Sequence, residues 1–212
     1  MKDIKHIVLI GVGAGGYFII KKLAETRGAK NFPCLVLFDY DLVEPRNIAY
    51  TAYKKKDIGL PKVEVVKNRY GKRISIIPRC ERYNNQELPE DSIVISGVDS
   101  MAARKDIWFQ AGHNQREKVN FFFDGRAGMK TFRVYAINPH NSSEREFYGQ
   151  TLYPDEEALS EPCSERNRTS FEKSASKIVK EIRYFLRCGK TRFTEFIFDI
   201  DLNQIIICDK LD

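Results

Sequence analysis

The sequence predicts an α/β fold, a mostly parallel sheet with helices on both faces and antiparallel strands appended to it. Three observations predict it. Ile4 to Ile10 is a continuous apolar run that leads straight into Gly11-Val-Gly-Ala-Gly-Gly16. Strand and helix signals then alternate to about His113. From Val119 the pattern changes to that of a hairpin.

Taken in order, the run ending at Ile10 suits a buried parallel strand, and the glycines turn it into a helix carrying Phe18, Ile19, Ile20 and Leu23. Cys34 to Phe38 repeats the strand signal. Asp39 to Leu60 is polar, turn-rich and basic at Lys54, Lys55 and Lys56, and reads as a binding loop. Pro61 then suits the first turn of a helix with apolar Val63, Val66 and Tyr70. Strands are expected at Ser75 to Pro78 and Ser92 to Ser96, and a helix from Ser100 to His113.

Val119 to Asp124 and Thr131 to Asn138 flank the turn-like Gly125-Arg126-Ala127-Gly128, the signature of an antiparallel hairpin. Ser142 to Ser170 reads as a long polar connection, and connections of that length inside a compact domain are usually functional or disordered. A helix follows, with Phe171, Ala175, Ile178, Ile182 and Phe185 on one face and Thr169 and Glu172 at capping-box spacing. Thr194 to Cys208 holds one or two short strands around Asp199 to Asn203.

Composition narrows the class. The hydrophobic fraction of 42% and charged fraction of 30% are those of a soluble globular chain, and no apolar run nears the roughly 20 residues of a membrane span. The first strand is too short for a signal peptide. Five cysteines, at 34, 80, 163, 188 and 208, form no CxxC pair, which points to a reduced cytoplasm and away from a structural zinc site. The net charge of +6 is dispersed among acidic residues, so it describes a solvated surface suited to an anionic ligand or acidic partner rather than to nucleic acid. His6, His113 and His140 are scattered and support neither zinc nor a Ser-His-Asp arrangement.

The glycine turn carries the chemistry. Lying between a strand and a helix, Gly11, Gly13 and Gly16 have separate tasks: one permits the tight turn, one the approach of phosphate to the backbone, one the packing of helix on strand. Asp39 ends the second strand, 23 positions after Gly16, where a carboxylate can accept from both ribose hydroxyls. This is a Rossmann-like nucleotide unit, and by itself it leaves NAD and ATP both open.

The following residues separate the two. Asp39-Tyr-Asp41-Leu-Val-Glu-Pro-Arg-Asn47, Gly59-Leu-Pro-Lys62 and Val98-Asp99-Ser-Met-Ala-Ala-Arg104 resemble segments of the ThiF/MoeB/HesA-type family of ubiquitin-like-protein activating enzymes. The match continues through Phe123-Asp-Gly-Arg126, Tyr148 to Ala158 and Pro162-Cys163-Ser164, in order over residues 6 to 190. The resemblance implies one adenylation domain over 1–212, with 1–118 as the nucleotide-binding half and 119–212 as antiparallel strands, crossover loop and last helix. It implies a homodimer using ATP and Mg²⁺ to join AMP to the C-terminal carboxylate of a small β-grasp protein or peptide ending in glycine.

Carried over by position, Asp39, with Asp41 beside it, holds the ribose, Asn47 and Lys62 contact phosphates, and Asp99 positions Mg²⁺ and the reacting phosphate. Adenylation makes sense of these types, because a cation must offset phosphate charge and a carboxylate must hold the metal. Taken singly, Lys62 also reads as a solvated lysine and Asp99 as a helix cap. Asp124 and Arg126 match a family Asp-x-Arg stretch, either along the substrate tail or as an ion pair. Trp108 and Phe109 read as core or dimer interface.

Cys163 lies beside Arg166 and Arg168 before a helix, surroundings that favour thiolate, and the resemblance places the thioester cysteine there; taken singly it also reads as an incidental thiol. The pattern departs from the family at Tyr50, which stands where an Arg aids phosphate binding and supplies no fixed charge. Arg46 or the Lys54 to Lys56 run are the nearest substitutes. Two other readings therefore stand beside the enzyme: a non-catalytic nucleotide-binding scaffold that pairs with an active relative, and an NAD-dependent oxidoreductase, which leaves Lys62 and Asp99 without a task.

Overall fold

In a computed structural model, residues 3–128, 131–154, 168–199 and 201–208 are described, and their strands form one eight-stranded sheet. Its strands are β1 (His6–Ile10), β2 (Cys34–Phe38), β3 (Ile76–Arg79), β4 (Ser92–Ser96), β5 (Val119–Ala127), β6 (Thr131–Ile137), β7 (Glu195–Asp199) and β8 (Gln204–Cys208). They lie in the order β3-β2-β1-β4-β5-β6-β7-β8, parallel from β3 to β5 and antiparallel from β5 to β8. The expected mixture of a parallel half and an appended antiparallel half is what forms. Ile10 is level with Phe38 on one side and Ser96 on the other, so β1, β2 and β4 end together.

The helices are α1 (Ala14–Glu25), α2 (Asn47–Tyr50), α3 (Lys62–Tyr70), α4 (Met101–Phe109), α5 (Ser142–Gln150) and α6 (Arg168–Cys188). Strand periodicity sorts the core between two faces. Ile7, Leu9, Ile93, Ile95, Phe121 and Phe123 join Phe18, Val63, Ile178 and Ile182 beneath α1, α3 and α6. Val8, Ile10, Val94 and Phe122 join Ile107, Trp108 and Tyr148 beneath α4 and α5. Each fully buried large apolar side chain contributes roughly 1.5–3 kcal/mol, so these two layers supply most of what orders the sheet. Aromatic packing sets their edges: Phe185 of α6 lies 4.7 Å from Phe121, and Trp108 lies 4.7 Å from Tyr148.

Several expectations need correction. The long connection after Ser142 contains α5, started by Asn141, whose side chain accepts from the Glu144 amide at 3.0 Å, and anchored by fully buried Tyr148. Thr169 does not cap α6, which already includes Arg168; Glu172 instead accepts from Arg168 at 3.0 Å. The helix from Met101 ends at Phe109 and relaxes into a wider π-turn over Gln110–Asn114. Trp108 is core, whereas Phe109 is 56% exposed. Cys34 and Cys208 are half-buried at strand ends, and Cys80 and Cys188 are exposed. No helix among the described residues is long and apolar enough to cross a membrane.

Candidate functional site

The strand order reverses direction between β1 and β4, and a crevice opens beyond the carboxyl ends of the strands at such a point. Here it is a cavity of about 870 Å³. The turn after β1 and the turn after β4 meet at its base. Gly11 has φ of +93°, and a Cβ on it would lie 2.7 Å from the Gly97 carbonyl oxygen; a Cβ on Gly16 would lie 2.0 Å from the Gly11 carbonyl oxygen. Both glycines are therefore demanded by the chain itself. Gly13 is different: nothing stands within 4 Å of where its Cβ would be, and it lines the cavity at the N-terminus of α1. Its missing side chain leaves room for something that is not protein, beside helix amides suited to an anion.

Asp39, level with the glycine turn, is 8% exposed. Its Oδ2 accepts from the Val12 amide at 2.6 Å and its Oδ1 from the Asp41 amide at 2.8 Å. Each oxygen keeps further acceptor capacity toward the cavity. Burial pushes its pKa above the ordinary carboxylate value, against the opposing pull of Lys62 and the two amides. Tyr53 reaches from the following loop to donate to the Val12 carbonyl at 3.0 Å, tying that loop to the glycine turn.

Lys62 is not solvated. It is 6% exposed in the first turn of α3, and its Nζ meets Asp41 Oδ2 at 2.6 Å on the cavity wall. Asp99 is exposed and lines the same cavity, and the N-cap of α4 is Ser100, whose Oγ accepts from the Ala103 amide at 3.2 Å. The capping role that Asp99 alone would suggest is thus filled by its neighbour. Among the described residues no three His, Cys, Asp or Glu side chains gather to hold a metal by themselves. Asp99, one of several carboxylates that line the cavity without clustering, fits Mg²⁺ carried by a nucleotide, since that ion usually takes one or two carboxylates and completes its shell with phosphates and water.

Gly11, Gly13, Asp39, Asp41, Lys62 and Asp99 are therefore brought together in one cavity, with Gly16 supporting the turn. Asn47 is not: its Oδ1 accepts from the Glu44 amide at 2.8 Å, and neither it nor Tyr50 lines the cavity. Arg46 is 79% exposed along its side chain and paired with Glu44. Cys163 lies outside the described residues. Sequence reading missed Gly97, Ser100 and Arg104. A glycine and a cap-type serine flanking an aspartate after a buried strand were the available signals.

Residues 2–202 match the ThiF family. One stretch of 114 residues is 32% identical to the NEDD8-activating enzyme E1 catalytic subunit of Arabidopsis thaliana, covering 50% of this chain and 24% of that protein. Among solved structures, crystalline PaaA aligns with a TM-score of 0.71 at 16% identity over 98% of this chain and 65% of its own length. E. coli MccB with ATP aligns at 0.69 and 14% identity, over 97% and 63%. The chain thus spans less than two thirds of these relatives, and at such identities the two structures speak for the fold alone.

Two outcomes follow from the geometry. Gly13→Ala should fold with stability within about 1 kcal/mol of the parent chain yet lose ATP affinity, whereas Gly16→Ala should be destabilised by several kcal/mol, about 3 or more, in denaturant titration. Equal destabilisation by both would mean that Gly13 serves only the turn. Asp39 makes the second case. Its folded pKa is raised, so its contribution to stability is greatest below the ordinary carboxylate range and declines as pH rises through the raised value. A ribose held by Asp39 would bind with the opposite sign, because ionised oxygens would accept its hydroxyls. ATP affinity should fall on acidification with a midpoint above the ordinary carboxylate range, and Asp39→Asn should weaken it about tenfold or more at neutral pH and abolish that acid limb. An unchanged acid limb in Asp39→Asn would assign it to another group.

Proposed function

The chain belongs to the ThiF family, and from that premise we propose that it is an adenylyltransferase that activates the C-terminal carboxylate of a small ubiquitin-like protein or peptide with ATP. The observation that carries this reading is the meeting of Gly13, Asp39, Lys62 and Asp99 in one cavity at the ends of β1, β2 and β4. A nicotinamide reading uses the first two and leaves the others idle. The NEDD8-activating relative and the ATP-bound MccB structure support the same choice.

On this reading the α1 N-terminus and the Gly13 gap receive phosphate, and Asp39 holds the ribose. Lys62, already desolvated, offsets phosphate charge where it is worth most. Asp99 would hold Mg²⁺, which when bound would offset part of the triphosphate charge. A carboxylate oxygen of the acyl partner attacks the α-phosphorus, the bond to the β,γ-phosphates breaks, and acyl-adenylate and pyrophosphate result. Cys163, as thiolate, would then attack the acyl carbon and release AMP, leaving a thioester. The family resemblance further implies a homodimer and an acyl partner of β-grasp form ending in glycine.

One observation favours a second reading, a nucleotide-binding scaffold without turnover. Tyr50 replaces the family Arg, and neither Arg46 nor Lys54, Lys55 or Lys56 lines the cavity in compensation.

Pyrophosphate exchange separates the two. With ATP, Mg²⁺ and peptides ending in Gly-Gly, labelled pyrophosphate should enter ATP, and Lys62→Ala or Asp99→Asn should slow that exchange by about 10²–10³-fold while ATP still binds. Measurable ATP binding with no exchange across the peptide panel would favour the scaffold. Cys163→Ala should keep exchange and lose any thiol-sensitive adduct; an adduct that survives the change belongs to another residue.

A further inference from the structure

Beyond the nucleotide groups, the most heavily bonded fully buried side chain beside this cavity among the described residues is Asp124, which lies within β5 opposite Ser96 at the end of β4. Arg104 Nη1 donates to its Oδ1, and Arg126 Nε at 2.7 Å and the Tyr148 hydroxyl at 3.0 Å donate to its Oδ2. Burial holds the Tyr148 phenol well above its ordinary pKa, so it remains a donor. Both arginines line the cavity.

The two arms diverge from this anchor. Arg126 Nη1 and Nη2 donate to the carbonyl and hydroxyl oxygens of Thr151, each at 3.0 Å, behind α5. Arg104 Nη2 donates to the Val98 carbonyl at 2.5 Å. Val98 sits between Gly97 and Asp99, in the turn joining β4 to α4. That turn is pinned at one end by the Gly97 amide on the Ile10 carbonyl at 2.8 Å, and at the other by the Ser100 cap. The Arg104 bond fixes the peptide between those two points, the one from which Asp99 departs.

We infer that Arg104 is a positioning residue for Asp99: held by Asp124, its guanidinium fork fixes the Val98 carbonyl and thereby the turn that presents the Asp99 carboxylate to the nucleotide's metal. This rests on the proposed role of Asp99. The fork is essential to the argument. One planar group with donors on separate nitrogens bridges a carboxylate and a carbonyl in fixed relation, which a lysine's single nitrogen does not reproduce. Loss of Arg104 also leaves Asp124 paired with Arg126 and Tyr148, so the buried carboxylate is not stranded.

The test measures affinity of the full chain for ATP by calorimetry, in Mg²⁺ and in EDTA. Wild type should show a Mg²⁺-dependent gain. Arg104→Ala and Arg104→Lys should each cut that gain about tenfold, the cost typical of disturbing a group behind a metal ligand. Affinity in EDTA should stay within about twofold. Asp99→Asn should cut the gain as well, and the double variant with Arg104→Lys should lose no more than Asp99→Asn alone, as groups acting through one another do. Without nucleotide, amide exchange across Gly97–Ser100 should quicken in Arg104→Lys. Arg104→Lys keeps a cation beside Asp124, so the comparison holds if the alanine variant folds poorly. A full Mg²⁺ gain in Arg104→Lys, or additive losses in the double variant, would overturn the inference while leaving Asp99 in place. A gain that survives Asp99→Asn would remove the Asp99 reading and this inference with it.

Discussion

Two backbone turns at the ends of β1 and β4 touch with no side chain between them, and the rest of the site takes its geometry from that contact. Gly11 in its left-handed conformation and Gly97 opposite it allow the turns to close, and Gly16 lets α1 start against the first of them. Because β1 lies between β2 and β4, the same contact sets where Asp39 and Asp99 emerge, one on each side. The space left over is the cavity. Gly13, whose missing Cβ meets nothing, borders it with room that the protein does not use.

Ionic groups around this space are bonded before any ligand arrives. Asp39 sits on two amides, Lys62 on Asp41, and Asp124 on two arginines and a tyrosine. Desolvation has therefore been met at folding, and Asp39, Lys62, Arg104 and Arg126 line the cavity held by fixed partners, the condition under which electrostatic stabilisation is largest. The Asp57–Arg69 pair, at 2.5 Å, makes an instructive contrast. Arg69 also bonds Tyr17 and the Ala52 carbonyl, and the cluster serves to fasten the loop of residues 51–57 to α1 and α3, away from the cavity.

The parallel half of the fold was legible because its strands are buried on both sides and read as unbroken apolar runs; Cys34–Phe38 and Ser92–Ser96 appear with the expected bounds. Helix α5 was hidden because Ser-Ser-Glu-Arg-Glu is polar and Tyr148 is its only buried aromatic residue, although Asn141 followed by Glu144 has the spacing of a cap. Thr169 and Glu172 showed that spacing too, inside a helix that begins earlier, so the pattern alone does not locate a terminus. Of the site, the residues tied to the glycine turn and its flanking strands were readable from local context. Arg104 was not, since its partners Val98 and Asp124 come from two different elements and only the fold joins them.

The loop between β2 and α3 bears on how the charge of a phosphate bound as proposed would be met. Its polar groups are turned inward on the loop itself: Asn47 to the Glu44 amide, Arg46 to Glu44, and the Lys54 amide to Asp57 at 2.7 Å. A loop spent in this way delivers no cation to the cavity, whatever the count of lysines within it. Lys62, at the start of α3, does line the cavity beside Arg82, Arg104, Arg126 and Arg133; burial keeps it from wandering and Asp41 keeps it aimed. Asp41 is itself 47% exposed along its side chain, so this ion pair opens to the cavity on its acid side. A phosphate bound as proposed would compete with a half-solvated carboxylate for a lysine already in place, an exchange of one anion for another that needs no further desolvation of the cation. Tyr50 does not line the cavity, whereas the desolvated Lys62 stands on its wall.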